Sequence, residues 1–144
     1  MFYLNAVLAP IASTTNNIAD KITKIQFLEI SLSRISHYSL SIDETDNTPF
    51  LLSCGHIREV EKYRKEGFLI IAVSRDIFFD KSGRKFLCGK KGILKIENNK
   101  ILKVLIFDTM HPRYKNTADI LVPTKEKAIK SGIKNFGKLE ILIE

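Results

Sequence analysis

The sequence contains few cysteines and lacks the residue patterns of several common kinds of site. Cys54 and Cys88 are its two cysteines, and they do not form a CxxC pair. Without that pair, and with three histidines that show no metal-ligand spacing, the sequence does not predict a zinc site or any other metal site. Gly89 and Gly92 lack the spacing of a phosphate-binding loop, so the sequence predicts neither nucleotide binding nor a cofactor.

Long hydrophobic runs are also missing, because no segment approaches the ~18–20 apolar residues of a membrane-spanning helix. Met1–Ala12 is mostly apolar and ends in small residues, but the first positive charge of the chain is Lys21. This segment therefore lacks the basic start of a secretory signal. Three interpretations stay open for it: the remnant of an export signal, a truncated start, or the first strand of the fold.

The charge of the chain is unbalanced, with a formal net charge of +7 and a pI near 9.4. Such a charge favours acidic partners, which include nucleic acid, anionic lipid and acidic wall polymers. The basic residues are scattered, however, and their densest group, Arg84–Lys91, is interrupted by apolar residues. This scatter argues against nucleic acid as the partner. The sequence does not predict an oligomeric state.

The redox state of the two cysteines is open at the level of sequence. A single disulfide fits an exported protein, whereas two buried free thiols are the ordinary alternative.

The apolar patterns predict a mainly β fold. The 144 residues correspond to one domain, and we divide them into a lead-in (1–24) and a folded domain (25–144). Two short helices are predicted, Ile57–Glu66 and one that begins with Thr124 as N-cap and ends at Gly132. Asn98-Asn99 predicts a two-residue hairpin. Without regular βαβ alternation, about six or seven short strands favour a small barrel. The predicted strands are Ile25 towards Tyr38, Leu51–Gly55, Phe68–Val73, Gly92–Glu97, Ile101–Phe107, Ile120–Val122 and Leu139–Ile143.

Two aspartates are the strongest candidates for chemistry. Asp108 ends one apolar run and Asp119 opens the next, with a turn-forming segment between them. A chain that turns back there brings both carboxylates to one rim of a barrel, where each perturbs the protonation of the other. The alternative is that each aspartate caps its own turn.

Other candidate residues lie near strand ends and loops. Glu44 and Asp46 belong to the polar loop Ser41–Pro49, and Ser74 and Arg75 follow a buried strand. Each of these also has an ordinary structural explanation. Aromatic residues near loops are candidates for stacking on sugar rings, and packing is the alternative for all of them: Tyr38, Phe50, Phe78 and Tyr114.

Several short motifs follow one another in the order of a known family. They are Ser36-His37-Tyr38, Glu44 through Pro49, Ser53-Cys54-Gly55, Ile71 through Asp76, Asp108-Thr109-Met110, Asp119-Ile120-Leu121, and Ala128 with Gly132. In this order they resemble the three-aspartate (3D) domain. That family has a double-psi β-barrel related to membrane-bound lytic transglycosylase A and, more loosely, to rare lipoprotein A and the expansins. The similarity runs from about Ile35 to Ile143.

The resemblance implies a six-stranded double-psi barrel that cleaves the glycan strand of peptidoglycan. It implies that Asp119 is the general acid and then the base, and that Asp108 assists it. The candidate substrate-binding residues are Tyr38, Glu44, Asp46, Thr48, Ser74, Arg75 and Arg113. The implied location is the cell envelope, periplasmic or secreted, and the implied partner is peptidoglycan or a related glycan polymer.

The chain departs from the family pattern at the first of its three aspartates. After the strand Phe68–Val73 the family has an aspartate, where this chain has Ser74 and Arg75, with Asp76 two places later. The alternative function is therefore a cell-wall carbohydrate-binding or envelope interaction module that does not cut its ligand.

Overall fold

The computed structural model describes residues 6–10, 26–40 and 50–143, with no side-chain description for residues 6–10 and Asn98. Ten strands and three short α-helices form within these residues, together with 3₁₀ turns at Ile57–Val60 and Glu97–Asn99. The strands are β1 Ala6–Pro10, β2 Gln26–Leu32, β3 Arg34–Tyr38, β4 Leu51–Leu52, β5 Gly55–His56, β6 Leu69–Val73, β7 Lys91–Ile96, β8 Lys100–Thr109, β9 Thr117–Leu121 and β10 Gly137–Ile143. The helices are α1 Glu61–Lys65, α2 Arg75–Phe78 and α3 Lys125–Ser131.

Six strand positions close into a barrel. The main sheet has the order β1-β2-β10-β7-β8-β6-β9-β3, and the single residue Ser33 separates β2 from β3. Because β2 and β3 form one bent strand, β10 pairs with its first half and β9 with its second half. The pairs β3–β9 and β6–β8 are parallel, and the other pairs of the ring are antiparallel. The predicted fold class, a mainly β six-stranded double-psi barrel with short helices, is confirmed.

Two apolar clusters lie on opposite sides of the barrel wall. The inner cluster draws on all six strand positions and includes Ile35, Leu94, Ile106 and Leu139. The outer cluster lies where the β4–β5 hairpin and the following 3₁₀ turn cover β6 and β8. Alternation along each strand assigns its residues to one cluster or the other. The outer cluster therefore supports the wall on which the candidate site lies.

The predicted helices and turn are present, but two of them differ in geometry from the prediction. The segment Ile57–Glu66 is a 3₁₀ turn followed by α1, because His56 and Glu59 form a capping box that fixes the first turn. The hairpin predicted at Asn98-Asn99 is a three-residue 3₁₀ turn in which Asn99 has a φ of 61°. Thr124 caps α3 through Lys127 N, and Gly132 ends it, as predicted.

The structure describes only part of the first 49 residues. Within Met1–Ala12, residues Ala6–Pro10 form β1 and pair antiparallel with β2. The division between lead-in and domain stays a prediction, and Ser41–Pro49 lies outside the described residues. Within the residues that the structure describes, no helix is long and apolar enough to cross a membrane.

Candidate functional site

Asp108 and Asp119 lie in one row across the sheet. In the pairing of β6 with its neighbours, Ala72 is opposite Asp108 on one side and opposite Asp119 on the other. Ser36 continues the row on β3, opposite Asp119. Residues directly opposite each other point to the same face, and two strand spacings separate the Cα atoms of the aspartates by about 10 Å. The two carboxylates therefore share one face, with the small side chain of Ala72 between their strands.

A β-bulge turns Asp108 towards this face. Val104 and Ile106 belong to the inner cluster and Leu105 to the outer one, so regular alternation would direct Asp108 inward. The register of β6 with β8 shifts between Ile71 and Ala72, which leaves Phe107 as the extra residue. Bulges re-aim side chains in this way and are frequent next to functional sites.

Asp108 accepts hydrogen bonds from three parts of the chain. Its Oδ1 accepts from Ser53 N at 2.9 Å, Ser53 Oγ at 3.0 Å and Thr109 N at 2.9 Å. Its Oδ2 accepts from the Tyr38 hydroxyl at 3.3 Å. Burial raises the pKa of Tyr38 well above its usual value, and the charges of Asp108 and Asp119 raise it further. Tyr38 therefore remains a neutral donor at physiological pH.

A disulfide holds Ser53 in place beside Asp108. Cys54 is bonded to Cys88, which answers the question that the sequence left open. Cys54 N also donates to Phe107 O at 3.1 Å, and Lys85 Nζ donates to Ser53 O at 2.8 Å. The disulfide and the Lys85 contact attach the β4–β5 turn to the segment between α2 and β7, and the bond from Cys54 N attaches it to β8.

Asp119 is positioned by the strand ladder. It lies in the middle of β9, which begins at Thr117, so it does not cap a turn at the start of its strand. Ser36 Oγ donates to Asp119 Oδ1 at 2.8 Å from the neighbouring strand. For this aspartate the structure contradicts the turn-capping alternative.

Both aspartates line one groove with a volume of about 1050 Å³. Of the predicted site residues, Tyr38, Arg75 and Arg113 also line it, whereas Glu44, Asp46 and Thr48 lie outside the described residues. The other lining residues are Ser36, Leu51, Leu52, Ser53, Cys54, Gly55, Ala72, Lys85, Thr109, Met110, His111, Pro112 and Tyr114.

Cationic side chains lie at one part of this groove. Arg75 Nε donates to Met110 O at 3.2 Å, and Arg113 Nη2 donates to the Tyr114 hydroxyl at 2.9 Å. That hydrogen bond from Arg113 is the main cause that lowers the pKa of Tyr114. The guanidinium of Arg34 lies 5.4 Å from the centre of the same ring. Both groove arginines are thus held by neutral partners, which leaves their charge available to a ligand.

Two predicted residues take structural positions instead. Ser74 is fully buried, and its Oγ accepts a hydrogen bond from Thr117 N at 3.0 Å, which ties the end of β6 to β9. Phe78 is completely buried in the inner cluster, so it is not available to stack on a sugar ring. Phe50 is 54% exposed and stacks on His56.

Three polar residues of the site are not identified as functional candidates by the sequence. Ser36, Ser53 and Thr109 belong to the motifs, but nothing in their spacing indicates that they contact the aspartates. Ser53 and Asp108 are 55 residues apart in the chain. Among the described residues, no three His, Cys, Asp or Glu side chains are grouped as metal ligands.

Comparison with known proteins finds similar folds among solved structures only. No protein-family model matches the chain, and no curated protein matches it. An expansin structure from Clavibacter michiganensis without ligand aligns with a TM-score of 0.47 and 17% identity, covering 81% of this chain and 50% of that one. A mutant of a Clavibacter michiganensis expansin in complex with cellohexaose aligns with a TM-score of 0.42 and 14% identity, covering 80% and 51%. The chain spans about half the length of these structures.

Proposed function

We propose that the groove binds a strand of a cell-wall glycan that carries acidic groups. The observation that supports this proposal is the composition of the groove, in which Asp108, Asp119, Arg75 and Arg113 line the same space of about 1050 Å³. Ligand sites of this kind have volumes of roughly 300–1,000 Å³. The groove therefore has room for several sugar units.

The two kinds of charged group suit two parts of such a ligand. Carboxylates accept hydrogen bonds from sugar hydroxyl groups, and guanidinium groups bind carboxylates in a planar, bidentate manner. Peptidoglycan has both features, since its sugars carry lactyl and peptide carboxylates. The net charge of +7 adds attraction towards an anionic wall polymer. The Cys54–Cys88 disulfide supports a location in the envelope or outside the cell, because disulfides persist in oxidising compartments.

Sedimentation with purified sacculi tests the binding proposal. The protein is expected to sediment with sacculi, and Arg113→Ala is expected to weaken binding by about tenfold because a charged hydrogen bond is lost. Arg58→Ala, which removes an exposed arginine outside the groove, is the matched control and should bind like the unchanged protein. Equal loss in both variants would mean that net charge, rather than the groove, holds the polymer.

Cleavage of the glycan is a second candidate, and the shared row of Asp108 and Asp119 favours it. In this reaction Asp119 donates its proton to the glycosidic oxygen as the bond to C1 breaks. Its carboxylate then takes the proton of the same sugar's 6-hydroxyl, whose oxygen bonds to C1 and forms a 1,6-anhydro ring. The nucleophile belongs to the substrate, so no second carboxylate has to attack. Asp108 assists through its charge.

Release of soluble products separates the two candidates. A cleaving enzyme releases anhydro-muropeptides from sacculi, and Asp119→Asn abolishes their release while the protein stays folded. A binding module releases no product, and its sedimentation with sacculi survives Asp119→Asn. Unchanged product release by Asp119→Asn would remove Asp119 from the catalytic role.

A further inference from the structure

The segment that joins α3 to β10 exposes three large apolar side chains. Ile129 is 71% exposed, Ile133 is 55% exposed and Phe136 is 70% exposed. The buried residue of α3 is Ala128, so the helix directs its small apolar residue to the barrel and the larger Ile129 to solvent. Three such side chains within eight residues form the feature that we name the α3 patch. Exposed apolar patches of this kind mark interaction sites.

Lysines surround the α3 patch. Residues 125–138 contain five lysines and one acidic residue, Glu126. Lys138 pairs with Glu29 on β2 at 3.4 Å. Lys127 and Lys130 are exposed and Lys134 is half-buried, and all three lie within nine positions of the apolar side chains in the sequence. Residues 127–136 therefore carry both positive charge and exposed apolar side chains.

We infer that the α3 patch binds an anionic lipid surface. Lysines are attracted to acidic headgroups, and Ile and Phe side chains gain free energy when they enter the acyl boundary below them. A second copy of this chain fits less well, because its own lysines would face these lysines. A hydrated acidic glycan matches the charge but offers no apolar medium for Ile129 and Phe136. This inference concerns a surface outside the groove and does not depend on the proposed function.

Vesicle flotation with the whole chain tests the inference. The protein should bind vesicles of phosphatidylglycerol mixed with phosphatidylcholine and should not bind vesicles of phosphatidylcholine alone. Binding should fall steeply as salt is added, because the attraction to the headgroups is screened. Absence of binding to the anionic vesicles, or equal binding to both kinds, would overturn the inference.

Two pairs of variants test whether binding depends on the α3 patch itself, rather than on the net charge or the exposed apolar surface of the whole protein. Lys130→Glu with Lys134→Glu should weaken binding by at least about twentyfold, since each lysine contributes about fivefold near the surface. Lys65→Glu with Lys81→Glu makes the same change in net charge at exposed positions on α1 and after α2, and it should cost much less. Ile129→Ser with Phe136→Ser should weaken binding by about tenfold or more. Phe50→Ser, at a position 54% exposed just before β4, should leave it unchanged.

Fold and self-association are measured on the same samples. Thermal unfolding should change little in all variants, because the substituted side chains are exposed except for Lys134, which is half-buried. Sedimentation velocity should report the same oligomeric state for the unchanged protein and for Ile129→Ser with Phe136→Ser. If the unchanged protein is an oligomer and this variant dissociates it, the α3 patch forms a contact between copies of the chain. That result would overturn the lipid inference.

Discussion

The two aspartates of the candidate groove are held in place by different means. We name each aspartate with its hydrogen-bond partners the Asp108 end and the Asp119 end of the site. Asp108 accepts hydrogen bonds from Ser53, Thr109 and Tyr38, and the Cys54–Cys88 disulfide fastens the turn that carries Ser53. Asp119 lies inside a strand ladder, with Ser36 directly opposite it in register. The position of Asp108 thus depends on contacts between distant segments, while that of Asp119 depends on strand pairing. Some substitutions should therefore disturb one of these ends without the other.

Removal of the disulfide should have the largest effect and should act on the Asp108 end. Cys54→Ser with Cys88→Ser opens a loop whose ends are 34 residues apart. The loss of this constraint on the unfolded chain should lower the free energy of unfolding by about 3–4 kcal/mol. Guanidinium denaturation of the variant and the unchanged protein measures it. An unchanged midpoint would show that the disulfide does not hold the β4–β5 turn in place.

The two aspartates should differ in their contribution to stability. Asp108→Asn replaces two acceptor oxygens by one while the surrounding donors remain, and it should lower the free energy of unfolding by about 1–3 kcal/mol. In Asp119→Asn the amide oxygen can still accept the bond from Ser36, so we expect less than about 1 kcal/mol. Urea denaturation of both variants compares them. Equal losses in the free energy of unfolding would contradict the proposed difference between the two aspartates.

Tyr38 should make stability depend on pH in the alkaline range. Its pKa is raised in the folded protein, so above pH ~10 the unfolded chain loses the tyrosine proton while the folded protein keeps it. The contribution of Tyr38 is therefore complete below that pH and is lost as the pH rises towards the folded-state pKa, by up to about 1.4 kcal/mol per pH unit. Tyr38→Phe should show a shallower decline. Parallel curves of stability against pH for the two proteins would contradict this prediction.

The smallest expected effects come from the two serines. Ser53 Oγ contacts both Asp108 and Thr109, so Ser53→Ala should cost about 1 kcal/mol, and Ser36→Ala about half as much. A double-mutant cycle in denaturation experiments should find coupling between Ser53 and Asp108 and none between Ser53 and Asp119. Coupling of Ser53 to Asp119 would indicate that the groove responds as a single unit.

The sequence predicted those helices and strands whose limits depend on residues close to one another in the chain. Thr124 and Gly132 predicted the limits of α3 because capping depends on neighbouring backbone groups. The apolar run Phe68–Val73 predicted β6 because a strand covered on both faces is apolar throughout. The prediction of one α-helix over Ile57–Glu66 was wrong at its start, because a capping box makes the first turn a 3₁₀ turn.

The groove was predicted less completely because its members come from distant segments. Asp108 and Asp119 were singled out from their positions after and before apolar runs, and both line the groove. Ser74 also follows a strand, but its hydroxyl is turned inward to Thr117. A strand end directs a side chain outward or inward according to register, and register is not visible in one sequence.

By itself, the sequence determined the mainly β class, most of the strands, the caps of α3 and the two aspartates, because periodicity and capping act over a few residues. The predicted strand Leu51–Gly55 is instead the β4–β5 hairpin, with its turn at Ser53-Cys54. Tertiary structure decided the rest. The bend at Ser33 closes the barrel, the bulge at Phe107 turns Asp108 to the outer face, and the disulfide brings Ser53 to it. Each of these joins segments that are far apart in the chain, and their free energy depends on the packed fold rather than on any local pattern.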